Sequence, residues 1–165
     1  MLDADFLIEA KGNNEALVAY MTRARVLQIV DFLIIEPSFD DDANRCFLLP
    51  QLACECFSSE QMELFVNHLF DANELRAGKS LQVIDKLLSY FLAADPTYNK
   101  TAKHLNSTLG GYINKIISYW LKQKPEIILS YLAEANSRCD LIDSMFNHLY
   151  LSNCVTDLFV RFCTV

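Results

Sequence analysis

The stretch Leu105–Leu132, LNSTLGGYINKIISYWLKQKPEIILSYL, decides the fold. Leu109, Ile113, Ile116, Ile117, Trp120 and Leu121 recur at spacings of three and four, the period of one helical face. They predict a helix from about Asn106 to Gln123, apolar over more than half of its circumference, which needs neighbours on two sides. Pro125 fits the first turn of the next helix, because the N–H it lacks would be unpaired there. Lys124-Pro125 therefore ends one helix and starts another with almost no loop. Gly110 and Gly111 each cost about 1 kcal/mol relative to Ala inside a helix, so they are expected to lie against a neighbouring backbone.

Outward from this stretch the same grammar repeats. The chain has 165 residues, 52% of them hydrophobic, with only four Gly and four Pro. That is enough apolar material for a continuous core, and neither Asn-Gly hairpins nor sustained two-residue alternation occurs. An all-α fold is predicted. A first helix runs from Asp3 to Ala10 and stops near Gly12, and a second follows Asn13 or Asn14 with Leu17, Tyr20 and Met21. A third spans Ala24 to Ile35 and ends at Glu36-Pro37. Asp40, Asp41 and Asp42 suit the positive end of the helix that Pro50 interrupts or restarts. Ser58 or Ser59 opens another through Phe70, and Ser80 caps a helix with Leu81, Ile84, Leu87, Leu88, Phe91 and Leu92 that stops at Asp95-Pro96. Ser137 and Ser152 are the expected caps of the last two.

Segments LVAYM (Leu17–Met21), LLSYFL (Leu87–Leu92) and ILSYL (Ile128–Leu132) echo one another, each setting an aromatic beside a large aliphatic. Helix pairs every 35 to 45 residues are similar to an armadillo or HEAT-like helical repeat superhelix, the alternative being an irregular helical bundle. The whole of 1–165 is expected to form one such domain, with 71–80 a variable loop.

Composition narrows the function. A formal net charge of −7 lacks the clustered Lys and Arg of a nucleic-acid footprint. The longest apolar run, Val26–Ile35, is ten residues with Gln28 and Asp31 inside it, short of the ~20 needed to span a bilayer. The acidic start MLDADFLIEAKGN does not read as a secretory signal. A cytoplasmic protein is expected, with the nucleus as a second compartment. Cys46, Cys54, Cys56, Cys139, Cys154 and Cys163 lie in apolar helical patterns and read as reduced, buried small hydrophobes. Cys54 and Cys56 stand about 200° apart on a helix, one toward the core and one on its flank.

Cys139, His148, Cys154 and Cys163 have the elements of a zinc site without its paired short spacings, and His148 reads as a capping or partly exposed residue. His68 and His104 have no acid or thiol at helical spacing, and no phosphate loop, nucleophile elbow or H-E-x-x-H occurs. Catalysis, cofactors and small-molecule substrates are not expected. An interaction scaffold is.

Three blocks carry a more specific likeness. FLLPQLACECFSS (Phe47–Ser59), HLNSTLGGYINKIISYWLKQKPEIILSYL (His104–Leu132) and DLIDSMFNHLYLSNCVTDLFVRFC (Asp140–Cys163) resemble successive blocks of the SAPS-domain family, regulatory subunits of protein phosphatase 6 and their yeast-type equivalents. The matching positions are Phe47, Pro50, Ala53, Cys54 and Glu55, then Leu105, Asn106, Tyr112, Lys115, Lys124, Glu126, Tyr131 and Leu132, then His148, Ser152, Asp157, Leu158 and Arg161. Ser107 stands where the family has Pro, and Tyr150–Asn153 lacks its Gly. The resemblance implies the N-terminal fragment of a longer solenoid, a non-catalytic subunit that binds a type 2A-like phosphatase catalytic subunit and directs it to substrates. A helical adaptor unrelated to phosphatases is the other reading. Lys115, Lys124, Asp157 and Arg161 are the polar family positions and hence candidate partner contacts, although Asp157 and Arg161, four apart, also suit an intrahelical ion pair.

Overall fold

A computed structural model describes residues 4–12, 14–70, 79–93, 105–139, 141–149 and 153–164. Among these residues there are ten α-helices, one π turn, one 3-10 turn and no strand. The all-α expectation is borne out, and the element pattern is consistent with a helical repeat. Two compact units divide within one helix, between Leu87 and Leu88.

The first unit contains α1 (Ala4–Lys11), α2 (Glu15–Tyr20), α3 (Arg23–Ile34), α4 (Leu49–Ser58), α5 (Glu63–Leu69) and the opening turns of α6 (Lys79–Ala93). Asn14 Oδ1 accepts the Leu17 N–H at 3.2 Å, making it the start of α2 that the sequence placed at Asn13 or Asn14. Asp42 Oδ1 likewise accepts the Arg45 N–H at 2.8 Å, ahead of the π turn Asn44–Leu48. The Leu49 N–H reaches back five residues to the Asn44 carbonyl, and Pro50 sits in the first turn of α4. This wider turn is where the chain absorbs a proline that would lose an amide donor and crowd the preceding turn inside a continuous helix. Ser59 accepts from the Gln61 N–H at 3.3 Å and opens the 3-10 turn Glu60–Met62 before α5. Ser58 instead donates to the Cys54 carbonyl at 2.8 Å.

α4 is the hub of this unit, packed by α1, α3, α5 and both short turns. Cys54 and Cys56 are therefore both buried, which corrects the expectation of one core and one flank cysteine. Cys163 is exposed and Cys46 and Cys154 are half-buried, so the expectation of uniformly buried thiols fails at the helix edges. Lys11 pairs with Glu55 at 3.1 Å, and Lys86 pairs with Asp31 at 2.6 Å while donating to the Leu27 carbonyl at 2.8 Å.

The second unit contains the end of α6, then α7 (Ser107–Gln123), α8 (Pro125–Cys139), α9 (Leu141–Asn147) and α10 (Asn153–Thr164). Asn106 caps α7, its side chain accepting from Thr108 N–H at 3.0 Å and Leu109 N–H at 3.2 Å. Tyr90 Oη holds the same residue, accepting its N–H at 3.0 Å and donating to its carbonyl at 3.3 Å. Ser107 occupies the first helical position, where the family's Pro would also fit. α7 ends at Lys124 and α8 starts at Pro125, as expected. α8 and α10 both pack on α7. Its six large apolar residues are buried, with Ile113, Ile116, Ile117 and Trp120 at 0% exposure. They span an arc of about 140° at 100° per residue, less than the half-turn expected, and half-buried Tyr112, Asn114, Ser118 and Tyr119 flank it.

Three further boundaries are corrected. Ser80 lies inside α6, which begins at Lys79, and Ser137 lies inside α8, which runs to Cys139. Lys79 and Ser80 are thus helical rather than part of a 71–80 loop. In the echo, Tyr90 and Tyr131 are buried but Tyr20 is exposed, because its ring lies under the Arg25 guanidinium at 3.6 Å instead of in the core. The expected stop at Asp95-Pro96, the Ser152 cap, His104 and the side chains of His68 and Cys139 lie outside the described residues.

Candidate partner-binding surface

Helix α7 sorts its side chains by azimuth. Lys115 lies opposite the buried arc, one heptad before Lys122, and both are exposed at the centre of the outward stripe. Lys124 is half-buried at the C-cap, its N–H donating to the Trp120 carbonyl at 2.7 Å. Asp157 and Arg161 are exposed on α10, turned away from Val155 and Leu158, which seat that helix. Among the described residues no ion pair joins them, so the intrahelical pairing expected from their spacing is not formed.

Gly110 sets how α10 seats. A Cβ there would stand 2.8 Å from Cys154 Sγ and 2.9 Å from Leu105 Cδ2, whereas one on Gly111 would meet nothing within 4 Å. The expected glycine contact is therefore made by Gly110 alone, and with side chains rather than a backbone. Close approach at Gly110 brings α10, and with it Asp157 and Arg161, onto the helix that carries Lys115. The structure gathers the candidate residues on two packed helices of one unit without linking their side chains.

Among the described residues, Ser144, His148 and Cys56 are occupied structurally. Ser144 Oγ on α9 and His148 Nε2, one residue past its end, donate to the Phe91 carbonyl at 3.3 and 3.0 Å. That carbonyl belongs to the last described turn of α6. His148, 2% exposed, is thus a cap, and of the two readings the partly exposed one is corrected. Burial, with smaller contributions from Glu55 and Cys54, pushes the Cys56 thiol up from 9.0 to about 12, so it stays protonated and unreactive at neutral pH. Among the described residues no cluster of three His, Cys, Asp or Glu could hold a metal ion, and no helix is long and apolar enough to cross a membrane.

Sequence reasoning missed an apolar cavity of about 450 Å3 in the first unit, lined chiefly by Phe6, Met21, Ile29, Phe32 and Leu49. No periodicity announces it: Arg25, Gln28 and Phe32 of α3 line it beside the buried row that includes Ile29, and two of those three are polar.

Comparison with known proteins fits the sequence blocks. Three curated relatives align over 165 residues, 99% of this chain: serine/threonine-protein phosphatase 6 regulatory subunit 3 of Gallus gallus at 28% identity, and regulatory subunits 3-A and 3-B of Xenopus laevis at 27% each. The family resemblance read from the three blocks is thereby borne out. The chain spans 16% of the Gallus gallus protein and 17% of each Xenopus laevis protein. No protein-family model and no solved structure matches it.

Proposed function

We propose that this chain is part of a non-catalytic regulatory subunit that binds a type 2A-like serine/threonine phosphatase catalytic subunit, that of phosphatase 6, and directs it to substrates. The observation that carries this reading is the similarity over 99% of the chain to three proteins named as phosphatase 6 regulatory subunits. The physical character of the chain agrees with it. Apolar side chains are spent on helix packing, the buried His148 and Cys56 serve as a cap and a core thiol, and polar side chains remain on outward faces. The mechanism is binding and positioning, with no bond made or broken by this chain.

Lys115, Lys124, Asp157 and Arg161 are the proposed contacts. Their support is family position together with exposure: Lys115, Asp157 and Arg161 are exposed and Lys124 is half-buried. The proposed setting is the cytoplasm and the nucleus, without nucleic acid, membrane or small-molecule substrate. Co-purification tests the reading: the full-length protein, at physiological salt, retains purified phosphatase 6 catalytic subunit. Failure to retain any type 2A-like phosphatase sinks the regulatory reading and leaves an adaptor of the same helical fold. Repeating it with residues 1–165 decides whether this stretch is sufficient.

A further inference from the structure

Four of the ten large apolar side chains exposed among the described residues, Ile35, Phe39, Phe47 and Leu48, fall within one short segment of the first unit. Phe39 is fully exposed and Phe47 is 72% exposed. Single exposed apolar residues are ordinary on a protein surface, whereas several in one short segment mark a contact site.

The segment is pinned by its own hydrogen bonds. The Asp41 N–H donates to the Ser38 carbonyl at 3.1 Å and the Ser38 N–H donates to Asp41 Oδ2, closing a turn with Phe39 and Asp40 at its corners. Cys46 donates through its N–H to the Asp42 carbonyl at 3.0 Å and through Sγ to the Asp41 carbonyl at 3.7 Å. Arg45 Nη2 donates to the Ile35 carbonyl at 2.6 Å. Together these bonds tie Ile35, the Phe39 turn and the π turn that carries Phe47 and Leu48 to one another. A backbone held in this way has little further freedom to lose when a partner covers it.

Charge selects the kind of partner. Glu36, Asp40, Asp41 and Asp42 are all exposed, and the one cation of the segment, Arg45, is half-buried, so that four carboxylates less one guanidinium leave a formal charge of −3. Nucleic acid and an anionic lipid surface would be repelled. A second copy presenting the same segment across a two-fold axis would be repelled as well.

We propose that Ile35–Leu48 is a docking surface for a basic, apolar segment of a protein partner, which covers Phe39 and Phe47 with large apolar side chains and sets Lys or Arg against Asp40 and the carboxylates beside it. The apolar contacts give the affinity, and the carboxylates steer the approach and reject acidic competitors. The inference does not rest on the phosphatase reading.

The test pans a displayed library of random hexadecapeptides against the full-length protein, with its Phe39→Ser, Phe47→Ser double variant as the counter-selection. Both side chains are exposed, so the double variant should melt within about 1 °C of wild type. If it does not fold, Phe39→Ser alone takes its place. Enriched peptides should carry Lys or Arg beside a large apolar residue. A fluorescein-labelled synthetic copy of the most enriched peptide should bind the wild type at least about tenfold more tightly than it binds the variant, and at least about tenfold more tightly than does its own twin with Glu in place of Lys and Arg. Asp40→Lys should narrow the gap between the twins. No enrichment over the variant, enriched peptides without basic residues, equal binding of the twins, a gap that Asp40→Lys leaves unchanged, or Phe39-dependent binding to phosphatidylserine vesicles overturns the proposal.

Discussion

Helices α3 and α7 each bury an apolar stripe within their own units, yet they commit their surfaces differently. On α7 the buried arc is flanked by half-buried side chains and covered by α8 and α10, leaving only a narrow outward stripe around Lys115 and Lys122. On α3 the buried stripe is a narrow i, i+3, i+4, i+7 row, and the stripe next to it borders a cavity. A helix covered along its whole apolar arc holds the fold. One buried on a single narrow row leaves the residues beside that row lining a cavity.

The sharpest way to break this contrast is to truncate one residue on each helix. Trp120→Ala removes a side chain with 0% exposure and should cost about 3–5 kcal/mol, read as a lowered denaturant midpoint. Gln28→Ala, on the open stripe of α3, should stay within about 0.5 kcal/mol of wild type. Equal losses would mean that the two helices are wrapped alike.

Alkali probes the hub of the first unit. Cys56 titrates near 9.0 when unfolded and is pushed up to about 12 by burial, so it contributes stability that is fully present below pH 9. Between about 9 and about 12 the unfolded thiol ionises while the folded one does not, and that stability is lost as pH rises. Denaturation midpoints of the wild type should therefore fall more steeply over this window than those of Cys56→Ala. Parallel curves would place the thiol in contact with water.

Adjacent glycines give a smaller and opposite pair of effects. Gly110→Leu overpacks Cys154 and Leu105 and should destabilise by about 1–3 kcal/mol. Gly111→Ala meets nothing and should stabilise by up to about 1 kcal/mol through helix propensity. If the two changes had the same sign, close approach of α10 at Gly110 would not be what holds that glycine in place.

The sequence was most legible where local chemistry decides the outcome. Asn106, Asn14, Ser59 and Pro125 mark helix starts because cap hydrogen bonds and the missing proline donor act within a few residues. Misreadings fell where tertiary packing overrides local signals. Ser80 and Ser137 look like caps but lie inside helices. Cys54 and Cys56 point to different sides, yet both are buried because α4 packs against several elements at once. Gly110 and Gly111 are indistinguishable as letters, and only the placement of Cys154 and Leu105 separates them. The polar contact candidates were named through family resemblance rather than periodicity, since exposed charges at helical spacing look the same whether they meet a partner or water.

The central proposal is that this chain binds a phosphatase through its outward polar surface while α7 holds the fold from beneath. Lys115→Glu in the full-length protein tests both halves at once, with the melting temperature and the affinity for purified phosphatase 6 catalytic subunit measured on the same sample. The account predicts a melting temperature within about 1 °C of wild type, as expected for an exposed substitution, together with weaker binding that lowering the salt does not restore. Unchanged affinity would remove Lys115 from the interface, and a wild-type protein that does not bind the catalytic subunit at all would contradict the account.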